Sequence, residues 1–183
     1  MQKLTPGNIV FPDPGNLRPH LVKRSATFSP CRRYRYALWR TWDAARPGVL
    51  FIGLNPSTAD EVRDDPTIRR CMGYARSWGY GGVCVANLFA WRATKPADLR
   101  AAEDPVGADN DAWLARLADG AKLVVAAWGN HGAWLGRSRE VAEMLPDLHC
   151  LQRNRSGEPT HPLYLRRGLR PMPLTKGLAK KLP

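Results

Sequence analysis

Three uninterrupted apolar runs do most to restrict how this chain folds: GVLFIGLN (48–55), GGVCVANLF (81–89) and KLVVAAWGN (122–130), each with an Asn at or near its end. Apolar side chains at successive positions bury both faces of a strand, as inside a parallel sheet. LHCLQRN (148–154) reads as a fourth strand. Helical segments lie between the runs. Asp65-Pro66-Thr67 opens a helix that extends to about Trp78, with Asp65 as N-cap and Pro66 at the first helical position. Further helices are expected from Pro96 to about Ala102, over 107–118, and from about Ser138 to Met144. Strand–helix alternation requires right-handed crossovers and gives an α/β fold. The expectation is a three-layer α/β/α domain around a central, four-stranded, mainly parallel sheet. YRYALWRTW (34–42) alternates polar and apolar residues and is assigned as an N-terminal antiparallel edge strand. Residues 1–183 read as one domain, with an irregular Pro- and Gly-rich segment over about 1–20 and a basic tail over about 172–183.

Charge is divided unevenly along the chain. Residues 1–47 hold nine Lys and Arg against two Asp and Glu. Residues 151–183 hold eight against one, while 48–150 hold eleven against thirteen. The overall charge of +12 therefore sits in the two terminal segments. That division points to a polyanionic partner, DNA or another nucleic acid first. No apolar run approaches the roughly 18 residues of a membrane span, and no signal-peptide apolar region opens the sequence, so a cytoplasmic protein without a membrane partner is expected. Cys31, Cys71, Cys84 and Cys150 are scattered without metal-ligand spacing, so neither a metal nor another cofactor is expected. Cys84 and Cys150 lie in apolar runs and read as core thiols. Nothing in the sequence signals an oligomeric state.

In a parallel sheet the ligand crevice lies outside the carboxyl ends of the strands. The rule gathers GLNPST (53–58), the stretch from Asn87 to Lys95, Trp128-Gly129-Asn130 and the loop after the fourth strand. Gly53 permits close backbone approach, Pro56 fixes a turn, and Asn55 presents an amide able to position a water. Ser57 can donate to an anion. The alternative for Asn55 is an Asx-type turn bonded only to its own backbone. Asn87 ends an apolar strand and can pair with a base edge, or simply cap its loop. Phe89 and Trp91 are candidates to stack on a base, or core residues, and Trp128 is a candidate to bind substrate at the rim. His161, in THPLYL, can donate a hydrogen bond to developing negative charge, or stand as an ordinary loop histidine. Arg153, Arg155, Arg166 and Arg167 surround it as candidate phosphate contacts, or as solvated surface. Asp65 is explained as the helix cap, while Asp60, Glu61 and Asp64 remain candidates for a base or a metal ligand.

GLNPS (53–57), GVCVAN (82–87), LVVAAWGNHGA (123–133) and HPLYL (161–165), in that order, resemble motifs of the uracil-DNA glycosylase superfamily. The first is most similar to its mismatch-specific thymine/uracil branch. The resemblance implies that Asn55 positions water, that Asn87 reads the base, and that His161 steadies the departing base. Asn55 stands where the uracil-specific enzymes carry a carboxylate. The fuller set GLNPSTAD, DDPTIRRC, NLFAWRAT, DPVG and HPLYL resembles a bacterial and phage family of domains of unknown function. The expected function is a glycosylase-like hydrolase acting on the N-glycosidic bond of a damaged or modified base in DNA. Two alternatives stand beside it: a non-catalytic nucleic-acid binder, and an enzyme of free nucleotides or nucleobases.

Overall fold

The computed structural model describes residues 22–174. Its backbone forms a seven-stranded sheet: β1 (Lys23–Phe28), β2 (Arg35–Thr41), β3 (Gly48–Gly53), β4 (Gly82–Asn87), β5 (Leu123–Ala126), β6 (His149–Cys150) and β7 (Met172–Pro173). Their spatial order is β1-β2-β4-β3-β5-β6-β7. The strands β4, β3, β5 and β6 are mutually parallel, and β2 joins β4 antiparallel. At the sheet edges β1 pairs antiparallel with β2, and β7 antiparallel with β6. The helices are α1 (Pro66–Ser77), α2 (Pro96–Arg100), α3 (Asn110–Asp119) and α4 (Arg137–Met144). This is a mixed α/β architecture with the expected parallel block at its centre.

Three sequence expectations change. The strand at 34–42 is antiparallel but not an edge, because β1 pairs along it from Lys23↔Thr41 to Phe28↔Arg35. KRSATF carries too little apolar alternation to announce itself as a strand, and its side chains are mostly half-buried. The fourth parallel strand keeps only His149 and Cys150, because the chain beyond turns into loops. Met172 and Pro173 are sheet rather than tail, and Leu174 is buried behind them. The irregular segment over 1–20, and the part of the basic tail after 174, lie outside the described residues.

Residue alternation along the central strands divides the core. Leu50 and Ile52 of β3 face Leu114, Leu117 and Val141 from α3 and α4. Val49 and Phe51 face Ile68, Cys71 and Tyr74 from α1. Apolar residues on both strand faces thus have separate helical partners, as the uninterrupted runs require. Cys84 and Cys150 are buried core residues, as read from the sequence, and none of the four cysteines is in a disulfide. Helix α1 starts where expected: Asp65 accepts a hydrogen bond from the Ile68 N–H at 2.8 Å, and Pro66 needs no donor there. Among the described residues, no helix is long and apolar enough to cross a membrane.

Chain direction places the crevice. After β3 the chain moves to one side to form β4, then returns to the other side of β3 to form β5. Loops leaving neighbouring strands in opposite directions open a crevice at such a switch point. The GLNPST turn leaves β3 there.

A candidate site at the strand carboxyl ends

A cleft of about 570 Å³ lies at this rim. Its walls include Asn55 after β3, Asn87 at the end of β4, Trp128 after β5, and His161 in the loop before the 3₁₀ turn Pro162–Tyr164. Gly53 and Ser57 also line it. Asn55, Asn87 and His161 therefore share one cavity although they lie far apart in the sequence.

The backbone orients each amide. Asn55 Nδ2 donates to the Ala93 carbonyl at 2.8 Å and to the Pro56 carbonyl at 3.0 Å. Two carbonyls around one terminal atom identify it as the NH₂ group, leaving Oδ1 as the amide's acceptor on the cleft wall. The self-bonded turn weighed from sequence is thus half present: one proton bonds locally and the other reaches 38 residues along the chain.

Asn87 is 4% exposed. Its Oδ1 accepts from Arg35 Nη2 at 3.2 Å. Its NH₂ lies against Gly53, where an added Cβ would sit 2.8 Å from Nδ2. Gly53 is therefore required for close approach rather than for a turn. The carbonyls of Asn87 and Leu88 are clamped from behind by Asn110 Nδ2, at 3.1 and 2.9 Å. Asn110, in the DPVG region's following helix, is wholly buried and supports the strand end.

His161 is half-buried, and burial lowers its pKa below the usual imidazole value, against an opposing pull from the Asp65 carboxylate. Burial therefore favours the neutral form of the ring. The Leu163 N–H approaches Nδ1 at 3.4 Å, which favours the tautomer carrying its proton on Nε2. Gly129, at φ +73°, turns the chain out of β5 in a backbone region that suits glycine, directly beside the His161 Cβ.

Sequence reading missed Arg35. This side chain lines the cleft yet is only 2% exposed. It donates through Nη1 to the Ala59 carbonyl at 2.7 Å and through Nη2 to Asn87, while its Nε–H has no partner among the described residues. Desolvation lowers its pKa to about 10; Asp65 offsets this, and Arg92 and Arg40 add repulsion. No carboxylate forms an ion pair with it among the described residues, so the cleft floor carries a buried positive charge. In the sequence it was one polar position of an alternating strand, RYALWRT, with nothing to mark it as inward-facing.

Other candidates are relocated. Phe89 does not reach the cleft; it is fully buried and packs on Trp134, with ring centroids 4.9 Å apart. Pro56 is buried behind the turn and contributes its carbonyl rather than a surface. Trp128 lines the cleft but donates its Nε1–H to buried Glu158 at 2.6 Å, leaving only ring surface for a ligand. Arg155, Arg166 and Arg167 are exposed and Arg153 is half-buried, and none of the four lines the cleft. The carboxylates also sort themselves. Asp64 holds the fully buried Arg40 at 2.5 Å, Asp60 accepts from the Val62 and Arg63 N–H groups, and Glu61 pairs with Arg32. Of these acids only the cap Asp65 lines the cleft. Among the described residues, no three His, Cys, Asp or Glu side chains converge as a metal-holding group.

Fold and site together define an α/β protein with a polar cleft at the switch point of its parallel strands, built from amide side chains, a half-buried imidazole and a buried guanidinium. The chain belongs to the family described as "Protein of unknown function (DUF1643)", whose match spans residues 35–163. That span begins at Arg35 on β2 and ends within the HPLYL motif, so it takes in Asn55, Asn87 and His161. Comparisons with curated proteins and with solved structures return no significant match.

Proposed function

We propose that the cleft receives a base turned out of DNA and that the protein cleaves the N-glycosidic bond of a damaged or modified nucleotide. One observation carries the reading: Asn55 and Asn87, from two strand ends, and His161, from the loop after β6, line the same cleft. Its volume falls within the roughly 300–1,000 Å³ of ligand clefts. The parallel block, with helical residues packed on both faces, supports a three-layer arrangement like that of the uracil-DNA glycosylases.

In this reading Asn87 offers its NH₂ to a carbonyl of the flipped base. Asn55 Oδ1 accepts a hydrogen bond from the attacking water and holds it beside the sugar. The bond from the sugar's anomeric carbon to the base nitrogen breaks, and its electron pair leaves with the base. The water oxygen bonds to the oxocarbenium-like carbon, and its released proton is ultimately taken up by the base. His161 donates from Nε2 to the departing base, and the Arg35 charge beneath the cleft favours that negative charge. An amide cannot serve as an effective general base, so catalysis is mainly positional and electrostatic. Turning the base out costs about a few kcal/mol, less for a mismatched or damaged base.

The test is release of free base from DNA carrying a panel of modified bases. The expected result is release by the native protein and its loss in Asn55→Ala, with folding and DNA affinity retained. No release of any base would refute the catalytic reading. A second reading, an enzyme of free nucleotides, is favoured by the buried Arg35 charge, which suits a small anion. Tight mononucleotide binding with poor DNA affinity at two salt concentrations would select it.

A further inference from the structure

A groove of about 580 Å³ lies between α1 and the segment that follows the 3₁₀ turn Pro162–Tyr164. Arg69, Arg70 and Arg167 line it together with Gly73, Ser77 and Leu163. Among the described residues no acidic one lines it, and α1 itself carries three arginines and no carboxylate. Positions 66, 69/70, 73 and 77 recur at helical spacing, so they form one face of α1. Thr67, Ile68 and Cys71, on another face, line the main cleft. The 3₁₀ turn is likewise shared: Tyr164 lines the cleft and Leu163 the groove. Groove and cleft are therefore separated by one helix and one turn.

The groove walls are fixed independently of any ligand. Arg70 Nη2 donates to the Leu165 carbonyl at 2.8 Å, Tyr74 Oη to the Arg166 carbonyl at 2.6 Å, and Trp78 Nε1 to the Leu169 carbonyl at 2.9 Å. Its floor contains Gly73, an exposed glycine inside a helix, where a Cβ would meet nothing within 4 Å. Neither packing nor backbone geometry needs glycine there, and glycine weakens a helix interior relative to alanine. What its absent side chain provides is an open floor beneath three cations.

We infer that this groove binds the phosphodiester backbone of a nucleic acid beside the nucleotide held in the cleft. The inference rests on the nucleic-acid reading of the cleft, but it is tested separately from base release. The measurement is fluorescence anisotropy of the full chain with a labelled single-stranded oligonucleotide across a salt series. Arg69→Gln and Arg167→Gln are each expected to flatten the slope of log affinity against log salt by about 0.7. Gly73→Glu, which places a carboxylate on the open floor, should weaken binding at least tenfold, while Gly73→Ala and the remote Arg116→Gln leave it near native.

Native affinity and slope in Arg69→Gln, Arg167→Gln and Gly73→Glu would overturn the inference, as would the native chain failing to bind the oligonucleotide. Competition by polyglutamate as effective as by unlabelled oligonucleotide would also overturn it, in favour of an unspecific anionic surface. Base release from modified DNA distinguishes the two readings. Release with unaltered binding in the groove variants removes the groove and leaves the cleft reading. Weakened binding in those variants, without base release from the native chain, supports the groove and removes the catalytic reading.

Discussion

Arg35→Met separates function from stability at the cleft floor. The native guanidinium is 2% exposed and makes two hydrogen bonds, to the Ala59 carbonyl and to Asn87 Oδ1, with no carboxylate ion pair. Losing two bonds from a charged donor costs roughly 3–6 kcal/mol. Against this stands the cost of keeping the charge buried. A pKa lowered to about 10 corresponds to a folding penalty of about 3 kcal/mol at neutral pH. The sign follows from proton binding: between pH 10 and the ordinary guanidinium range, the unfolded chain holds the proton that the folded chain has released. Stability from this group therefore rises with pH through that window, and the penalty is fully present below it. The opposing effects leave Arg35→Met destabilised by about 0–3 kcal/mol, a fall in Tm of up to roughly 12 °C. Thermal unfolding with and without a deoxynucleoside monophosphate is the assay. Ligand at about 100 times Kd should stabilise the native chain by about 2.7 kcal/mol, and Arg35→Met very little. Base release should fall by about 100-fold, because Asn87 loses the partner that orients it. A Tm loss beyond about 15 °C would refute the reasoning by making Arg35 a net structural clamp. Unchanged ligand stabilisation and unchanged base release would refute it from the other side.

Asn55→Asp, which introduces a carboxylate at this turn, should reduce base release rather than raise it. A carboxylate oxygen would face the Pro56 and Ala93 carbonyls in place of an NH₂, costing about 1–3 kcal/mol in a urea titration. Gly53→Ala places a Cβ 2.8 Å from Asn87 Nδ2, so base release should fall at least tenfold while the unfolding free energy, read from a urea titration, falls by about 1–3 kcal/mol. His161 has a lowered pKa, so the unfolded chain takes up its proton first as pH falls, and stability from this residue is lost in that direction. Urea midpoints between pH 7 and 5 should accordingly fall less steeply in His161→Gln than in the native chain. Parallel slopes would show that burial of the imidazole is not linked to folding.

The parallel block was legible because its signal is local. Uninterrupted apolar runs report burial on both faces, and the Asp65-Pro66 start of α1 reports cap chemistry residue by residue. The antiparallel additions were not legible. β1 is mostly half-buried, and β7 consists of two exposed residues, Met172 and Pro173, whose pairing is set by where β6 lies. Phe89 was misplaced for a related reason. An aromatic just after a strand-end Asn has the same local sequence whether it turns toward a ligand or toward Trp134, and tertiary packing chooses the latter.

Arg35 shows what strand periodicity conceals at a site. On a half-solvated strand, alternation implies that the polar set faces water, yet β2 lies between β1 and β4 and its Arg35 and Arg40 are both buried. The two arginines have different compensation. Arg40 has Asp64 at 2.5 Å and main-chain carbonyls at Trp39, Asp60 and Arg63, so its charge is neutralised and its donors engaged. Arg35 has one carbonyl, one amide oxygen and an unpartnered Nε–H. Equal burial with unequal pairing distinguishes a residue that holds a loop from one that holds a field in a cleft. The DDPTIRRC motif divides in the same way. Asp64 neutralises Arg40 away from the cleft, whereas Asp65 caps α1 at the cleft wall and pulls on both Arg35 and His161. The adjacent carboxylates therefore serve two different tasks, and only the second bears on the chemistry of the site.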